Sequence, residues 1–569
     1  TNSINADSKN RGVDIEEADG SQDIGQEYGS LDPGNGTQDG SPFDFWFSEN
    51  KFPEYNNEFS ETTNPNSFSN TFAKSHITIS NFSKSGAAMT FQTKIGDDIA
   101  TPIATIKKNN LKLNNNDSPL AVDIGGNGTQ EFLYTSGDSI YVLKNDFTPY
   151  LNNSTGIFST QGGKFQPIVV NNNIIGTSDS TIFVFKNTDT DNDGLADIFI
   201  QQKLSSKITT PPSYFNGSFE WGLINGNVHA LSIDGNTISE GDIFISNEPI
   251  VTLSSTLYIV DEHTLWAGNQ QQTWKSTAKI LAATFTKYNE ENYAIIICED
   301  NTFSVINLST KKIITKNLNN ISTSLAVADI NNDGMNDIII GSENKLYAYN
   351  LYGVLLGNFP FTISDNGKIL GSPTIVKLKN SNTTAIIIGS SNGHLYAIDN
   401  KAKIFNGFPL QTGGIVSSPI IFENKLTVSS TDTSIYIWKV ENLFDTEKIL
   451  WENFLADNNH TNFINQQNTI TPKSAQLLPK EFAYNWPNPV YDKTTNIRYY
   501  LGKPAIVKIK IFTMAGELVD ELTGTGYANV DNEVQWNVSK IQSGVYFAEI
   551  KATSSNEETS VIIKIAVVK

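Results

Sequence analysis

Asp329-Ile-Asn331-Asn-Asp333-Gly334-Met-Asn-Asp337 lies between two apolar runs, Leu325-Ala-Val-Ala before it and Ile338-Ile-Ile-Gly after it. Oxygen-bearing side chains stand at its first, third, fifth and ninth positions, and a glycine follows the fifth. The flanking runs predict a buried strand on each side of a tight turn. A hard cation such as Ca²⁺ takes about six to eight oxygens at short range. Alternate side chains of a sharply turned loop supply them, and Gly334 permits the backbone angle that turns the loop inward. The pattern recurs at Asp189-Thr-Asp191-Asn-Asp193-Gly194-Leu-Ala-Asp197, followed by Ile-Phe-Ile. A worn copy runs Asp123-Ile-Gly125-Gly-Asn127-Gly128-Thr-Gln-Glu131, with glycine third and glutamate ninth. The candidate metal ligands are therefore Asp189, Asp191, Asp193, Asp197, Asp329, Asn331, Asp333 and Asp337, with Asp123, Asn127 and Glu131 in the worn copy. The competing reading is three polar β-turns that hold no ion.

Three copies of strand, acidic loop and strand predict a repeat protein. A second signature, small or polar then apolar, aromatic, apolar, recurs along the chain. It reads Ser139-Ile-Tyr-Val-Leu, Thr181-Ile-Phe-Val-Phe, Asn227-Val-His-Ala-Leu, Thr256-Leu-Tyr-Ile-Val, Thr302-Phe-Ser-Val-Ile, Lys345-Leu-Tyr-Ala-Tyr, His394-Leu-Tyr-Ala-Ile and Ser434-Ile-Tyr-Ile-Trp. The spacing is mostly about 40 to 50 residues, as for four-stranded propeller blades. One interval, ending at Thr256, is only about 30 residues, which predicts an incomplete blade. Prolines precede most signatures (Pro119, Pro167, Pro212, Pro249, Pro373, Pro419), as suits the start of an inner strand where a missing N–H costs little. The expected fold is all-β: a seven- or eight-bladed β-propeller with calcium loops over 96–450, then a small Ig-like β-sandwich.

The totals agree with this. A chain of 569 residues exceeds one compact core. Its net charge of −20 argues against nucleic acid or an anionic membrane surface as partner. No apolar run reaches the roughly 18 residues of a membrane helix, so no transmembrane segment is expected. The single cysteine, Cys298, sits in an apolar run and reads as a small buried hydrophobe. The five histidines (His76, His229, His263, His394, His460) are scattered, and none has a partner four residues on. A zinc site needs convergent ligands, and the chain offers no His-Glu-x-x-His.

Within a first segment spanning 1–95, residues 1 to about 72 are acidic and rich in Asn, Gly and Ser, yet contain Phe43, Phe45, Trp46, Phe47, Phe52 and Tyr55, which need packing partners. Residues 76–95 read as strand, turn, strand with one buried face. The stretch Arg11-Gly-Val-Asp-Ile-Glu-Glu-Ala-Asp-Gly-Ser-Gln-Asp-Ile-Gly25, then Asp44-Phe-Trp, Asn64-Pro-Asn-Ser67, Ile77-Thr-Ile-Ser-Asn-Phe and Met89-Thr-Phe91 resembles the end of the catalytic domain of M6-type (immune inhibitor A-like) metalloproteases. The resemblance implies a secreted zinc endopeptidase whose His-Glu-x-x-His helix lies upstream, so Zn²⁺ enters only with an upstream catalytic domain. The acidic loops resemble FG-GAP/VCBS-type propeller repeats, which implies structural Ca²⁺.

Residues 451–480, with Asp457-Asn-Asn-His-Thr-Asn and Pro472-Lys-Ser, read as a linker. Residues 481–569 carry about seven alternating strand patterns and read as an Ig-like module. Within them Tyr484-Asn-Trp-Pro-Asn-Pro489, Met514-Ala-Gly-Glu-Leu-Val519, Trp536-Asn, Ser543-Gly-Val-Tyr-Phe547 and Lys564-Ile-Ala-Val-Val-Lys569 resemble the C-terminal sorting domain of type IX secretion substrates. That implies the type IX machinery as partner and the extracellular space or outer-membrane surface of a Gram-negative bacterium as destination.

Three functions are open at this point. The chain is the non-catalytic C-terminal part of a secreted, surface-directed zinc metalloprotease, its propeller binding substrate or surface polymer. Alternatively it is a calcium-stabilised adhesin or protein- or polysaccharide-binding propeller with no protease activity. A third reading, an active site around the propeller channel, lacks an acidic or histidine cluster to carry it. Trp221, Trp266 and Trp274 either stack on sugar rings or wedge between blades.

Overall fold

The structure is a computed structural model. It describes residues 16–569 apart from 22, 26–29, 31–38, 70–72, 97–98, 108–118, 216–217, 223–226, 233–236, 243–250, 254–255, 269–270, 324, 365, 417, 441–442 and 465–471, and gives the backbone alone over 215–257. Short runs of β-branched and aromatic residues between Asn-, Asp- and Gly-rich turns form strands almost throughout. Eight sheets follow one another over 120–159, 168–203, 213–242, 251–275, 280–317, 326–362, 369–411 and 420–439, each built on a four-stranded antiparallel meander once the last is completed, and the fifth and seventh carry a fifth strand from later in the chain. Inner strands are largely buried, and several fourth strands are exposed. Ala326–Ala328 is buried throughout, whereas Ile198–Lys203 and Ile313–Asn317 are largely exposed. That gradient puts first strands toward a common centre and fourth strands at the rim.

The eighth sheet takes its fourth strand from the beginning of the region. Thr101–Lys107 pairs antiparallel with Ser434–Lys439, Ser434 opposite Lys107 and Lys439 opposite Thr101. One apolar cluster then joins the first and eighth sheets through Phe132, Tyr134, Ile420 and Phe422. Closure of a propeller-like ring is thus non-covalent, built from backbone pairing and aromatic packing.

The aromatic signature marks the third strand of each sheet, with one exception that explains the short interval. Thr256–Val260 is the second strand of the fourth sheet, and the third is Thr264–Ala267, with Trp266 at the aromatic position. Two consecutive strands match one loose pattern, and the later of them holds the third-strand position. The fourth unit is not incomplete: it has four strands, compressed into 251–275. Trp274 packs on the cluster of Tyr258, Leu265 and Phe285. Trp266 is half-buried and donates its Nε1–H to Asp261 Oδ2 at 2.7 Å. The side chain of Trp221 lies outside the described residues.

The segment read as a linker over 451–480 is not one in its first half. Trp451 ends a strand, Phe444–Trp451, that pairs with the first strand of the seventh sheet, and Trp451 is 1% exposed. Residues 452–464 then cross the inner strands of four different sheets. Asn458 donates to the Ala121 carbonyl at 3.0 Å, and Tyr214 N–H donates to the Asn459 carbonyl at 3.1 Å. Asn462 Nδ2 donates to the Ala283 carbonyl at 2.8 Å, while Phe463–Ile464 pairs in parallel with Phe285 and Thr286. Thr374 Oγ1 donates to the Glu452 carbonyl at 3.3 Å. A polar composition suggests solvent; here the segment's asparagine amides donate to inner-strand carbonyls, and its own carbonyls accept from inner-strand N–H groups and hydroxyls, at the centre of the ring.

Residues 484–567 form two sheets facing each other, 484–486/494–501/530–537 and 518–524/506–513/544–553/558–567. Trp536, Tyr499, Ile509, Ile511, Ile550 and Ile565 fill the space between them. At the N-terminal end, Ile77–Ser80 pairs with Gln92–Ile95 and Glu58–Phe59. The expected buried face of this hairpin is absent, for Gln92–Ile95 is exposed throughout. The aromatics find one another instead: Trp46 lies 5.3–5.8 Å from the rings of Tyr55, Phe59 and Phe82.

Candidate metal-binding loops

The three acidic loops fold on one plan. The first-position carboxylate accepts the N–H groups of the fifth and sixth residues. Asp329 Oδ1 and Oδ2 accept from Asp333 (3.2 Å) and Gly334 (3.0 Å). Asp189 accepts from Asp193 (3.1 Å) and Gly194 (3.0 Å), and Asp123 from Asn127 (3.1 Å) and Gly128 (2.7 Å). The fifth side chain accepts the N–H of the seventh residue: Met335, Leu195 or Thr129. The ninth accepts the N–H of the second: Ile330 to Asp337, Thr190 to Asp197, Ile124 to Glu131. The fourth position has positive φ in all three (Gly126 65°, Asn192 59°, Asn332 62°), as does the sixth (82°, 84°, 89°). Glycine or asparagine at these places removes the steric cost of that conformation.

The loops join first and second strands in the first and sixth sheets, and third and fourth strands in the second. In a meander these turns fall on the same edge, so all three loops lie on one face of the ring. Asn187 Nδ2 donates to the Ile124 carbonyl at 2.9 Å and ties the first two together.

Their environments differ. Asp191 and Asp193 are exposed, and Asp189, Asp191 and Asp193 each present a carboxylate oxygen within 4.8 Å of the others. Asp197 is engaged elsewhere: Thr190 Oγ1 donates to Oδ1 and Thr188 Oγ1 to Oδ2, and these bonds hold its carboxyl below the usual range. In the third loop Asp329, Asp333 and Asp337 are buried. Burial raises all three carboxyls, and repulsion from neighbouring carboxylates adds to it at Asp333, raised to about 6, and at Asp337, raised well above its ordinary value. Asn331 Nδ2 donates to Asp333 Oδ2 at 2.9 Å. Lys377 approaches Asn332 Oδ1 and donates to Thr384 Oγ1 at 2.8 Å, but its own pKa is lowered by burial. Asp337 Oδ1 is buried and accepts no hydrogen bond. Glu131 is 3% exposed and burial raises its carboxyl, while Gly125 leaves the third position of that loop without an oxygen.

The carboxylates of Asp329, Asp333 and Asp337 do not converge within 4.8 Å as those of Asp189, Asp191 and Asp193 do, but a buried carboxylate with one bare oxygen in a loop with two others carries charge that a dication would neutralise. The donor set fits Ca²⁺: carboxylates and an amide, all oxygen. The sequence did not show a fourth group, Glu17, Asp19 and Asp44, because residues far apart in the chain meet there. Glu17 accepts from the N–H groups of Asp23 and Ile24 and the Ser21 hydroxyl, which accounts for its burial without an ion.

Residues 485–564 match the family described as a secretion system C-terminal sorting domain. The C-terminal unit is a sorting tail. Such a tail implies a secreted or cell-surface protein, and no described helix is long and apolar enough to cross a membrane. No curated protein matches the chain. Among solved structures it is similar to BamB from Moraxella catarrhalis, at 14% identity over 60% of this chain and 100% of that one, with TM-score 0.39. The computationally designed Ika8 protein gives 12% identity over 58% and 98%, TM-score 0.42. BBS1N, from its complex with ARL6DN, gives 11% identity over 60% and 97%, TM-score 0.40.

Proposed function

We propose that this chain is an exported binding protein: an eight-bladed propeller held by structural Ca²⁺ in the 189–197 and 329–337 loops, carried outward by an Ig-like type IX sorting domain. Its destination is the outer surface of a Gram-negative cell or the medium. The observation that carries the calcium role is the bare, buried Oδ1 of Asp337 between Asp329 and Asp333. Asp329, Asn331, Asp333 and Asp337 would hold the ion in one loop, and Asp189, Asp191 and Asp193 in the other. Bound there, Ca²⁺ cancels like charge and fixes a turn; it supplies no chemistry to a substrate. Segment 452–464 fills the centre of the ring, so the ligand surface lies on the loop face or the rim and not in a channel. The ligand class is a protein or polysaccharide at the cell surface. The test is calcium titration of the intact chain by calorimetry, with secretion of a chain lacking 485–569 followed in the native host. Absence of calcium binding removes the metal role, and unimpaired secretion removes the sorting role.

A second reading is supported by the resemblance of residues 11–91 to an M6-type protease. On it the chain is the non-catalytic part of a zinc endopeptidase, with the propeller delivering substrate. Reading the coding sequence upstream of Thr1 decides it. An in-frame His-Glu-x-x-His supports the protease, and a signal peptide directly before Thr1 removes it.

A further inference from the structure

The sorting domain does not stand clear of the ring. Tyr527 lies flat against Tyr352 of the sixth sheet, centroids 3.8 Å apart and planes 2° apart. Lys312 of the fifth sheet stands 4.4 Å from the centroid of the same ring. One aromatic side chain is thus held by a ring and a cation, both from the propeller-like region. Val530, 1% exposed, belongs to the same apolar cluster as Ile330 and Met335, two residues of the 329–337 loop itself. Lys473 donates to Asp531 at 2.9 Å, and its N–H donates to the Tyr500 hydroxyl at 3.0 Å. Tyr352 and Lys312 stand in the turns between third and fourth strands of their sheets, on the same face as the 329–337 loop, so the sorting domain docks on the face that carries the loop whose carboxylates are buried. The exposed loop at 189–197 shares none of these contacts.

We infer that the sorting domain is a lid on the 329–337 metal site, latched by Tyr527 in the slot between Tyr352 and Lys312. This rests on the calcium reading above. An ion in that loop exchanges only when the domain lifts, whereas an ion in the 189–197 loop exchanges freely. The cation across the slot selects an aromatic ring, so Tyr527 is the element on which the latch depends.

The test uses the full chain loaded with Ca²⁺ and chased with a fluorescent chelator, alongside small-angle scattering. The intact chain gives a fast and a slow release phase, and Asp337→Asn removes the slow one alone. Tyr527→Ala accelerates the slow phase by about tenfold, leaves the fast phase unchanged and lengthens the particle. Tyr352→Ala, made from the other side of the slot, does the same and guards against a folding defect in the sorting domain. A slow phase unchanged in both variants overturns the lid, whether or not the particle lengthens. A slow phase that survives Asp337→Asn overturns it too, because release then comes from elsewhere. If equilibrium dialysis finds no calcium on the intact chain, the metal reading fails and the lid falls with it.

Discussion

The 189–197 and 329–337 loops share one nine-residue plan and one set of backbone hydrogen bonds, yet they pose different physical problems. In the first, water screens the carboxylates, and Asp197 settles with two threonines. In the second, three carboxylates are buried together, and one oxygen has no hydrogen-bond partner. Shape is therefore written in the motif, while the cost of its charge is written by what covers it. On the calcium reading proposed above, the ion is a convenience for the exposed loop and a structural requirement for the buried one.

The largest expected effect follows directly. Chelation should lower the melting temperature of the intact chain, since a ligand at a thousandfold excess over its Kd contributes about 4 kcal/mol. An unchanged melting curve in excess EDTA would falsify the structural role. Asp337→Asn should then behave oppositely in the two states. In calcium it removes a ligand and costs about 3 kcal/mol. In EDTA it removes an uncompensated buried charge, so the variant should melt no lower than the parent. Paired calorimetry with and without EDTA checks the crossover, and a variant equally destabilised in both would show that Asp337 acts by packing alone.

The pH dependence of the metal-free chain comes next. Asp333 is raised to about 6 and Asp337 well above its ordinary value, against an unfolded value of about 3.9. Between those values the folded state binds more protons than the unfolded one. Stability from these groups is therefore full below about pH 4 and declines as pH rises through about 6. EDTA-treated protein should melt higher at pH 5 than at pH 7.5, and Asp333→Asn should flatten that difference. Calcium affinity should fall over the same window on acidification, because the ion and the protons compete. Asp197, held low by its threonines, pulls the other way, and only at the acid end.

Much of this was legible in the chain. The loop plan, its glycines and the third-strand signature follow from local stereochemistry, which sequence carries directly. Three features did not. Thr256–Val260 and Thr264–Ala267 both fit an apolar-aromatic-apolar pattern, and only pairing order tells second strand from third. Segment 452–464 has the composition of a linker; its asparagines are buried because inner-strand carbonyls of distant sheets await donors. Nor does any local pattern say that the 329–337 loop is buried and the 189–197 loop exposed. That difference arises from neighbours such as Lys377 and Val530, close in space and remote in sequence.

Substitution in the exposed loop should be mild. Asp191→Asn should leave melting within about 2 °C in calcium, as expected for a solvent-exposed group in a large domain. It should still lower the number of ions bound under weak-binding conditions. A shift as large as that of Asp337→Asn would erase the distinction between the loops.

The smallest effect tests whether the plan alone suffices. The worn loop keeps the backbone bonds to the first, fifth and ninth side chains, and Asp123, Asn127 and Glu131 are in place; what it lacks is an oxygen at position 125, and with it the bond from the fifth N–H to the third side chain that the other two make. A Cβ at Gly125 would meet Asn127 Nδ2 at 3.2 Å and the Tyr150 hydroxyl at 3.7 Å, both ends of side chains able to shift. Gly125→Asp should therefore be tolerated and should add one weak calcium equivalent in titration, with a melting shift near the limit of detection. The residue is exposed, so the new charge carries no burial cost of the kind Asp337 bears. Failure to add an equivalent would mean that four shared hydrogen bonds and a restored oxygen do not make a site. Burial, and the charge it strands, would then be what draws the ion to 329–337.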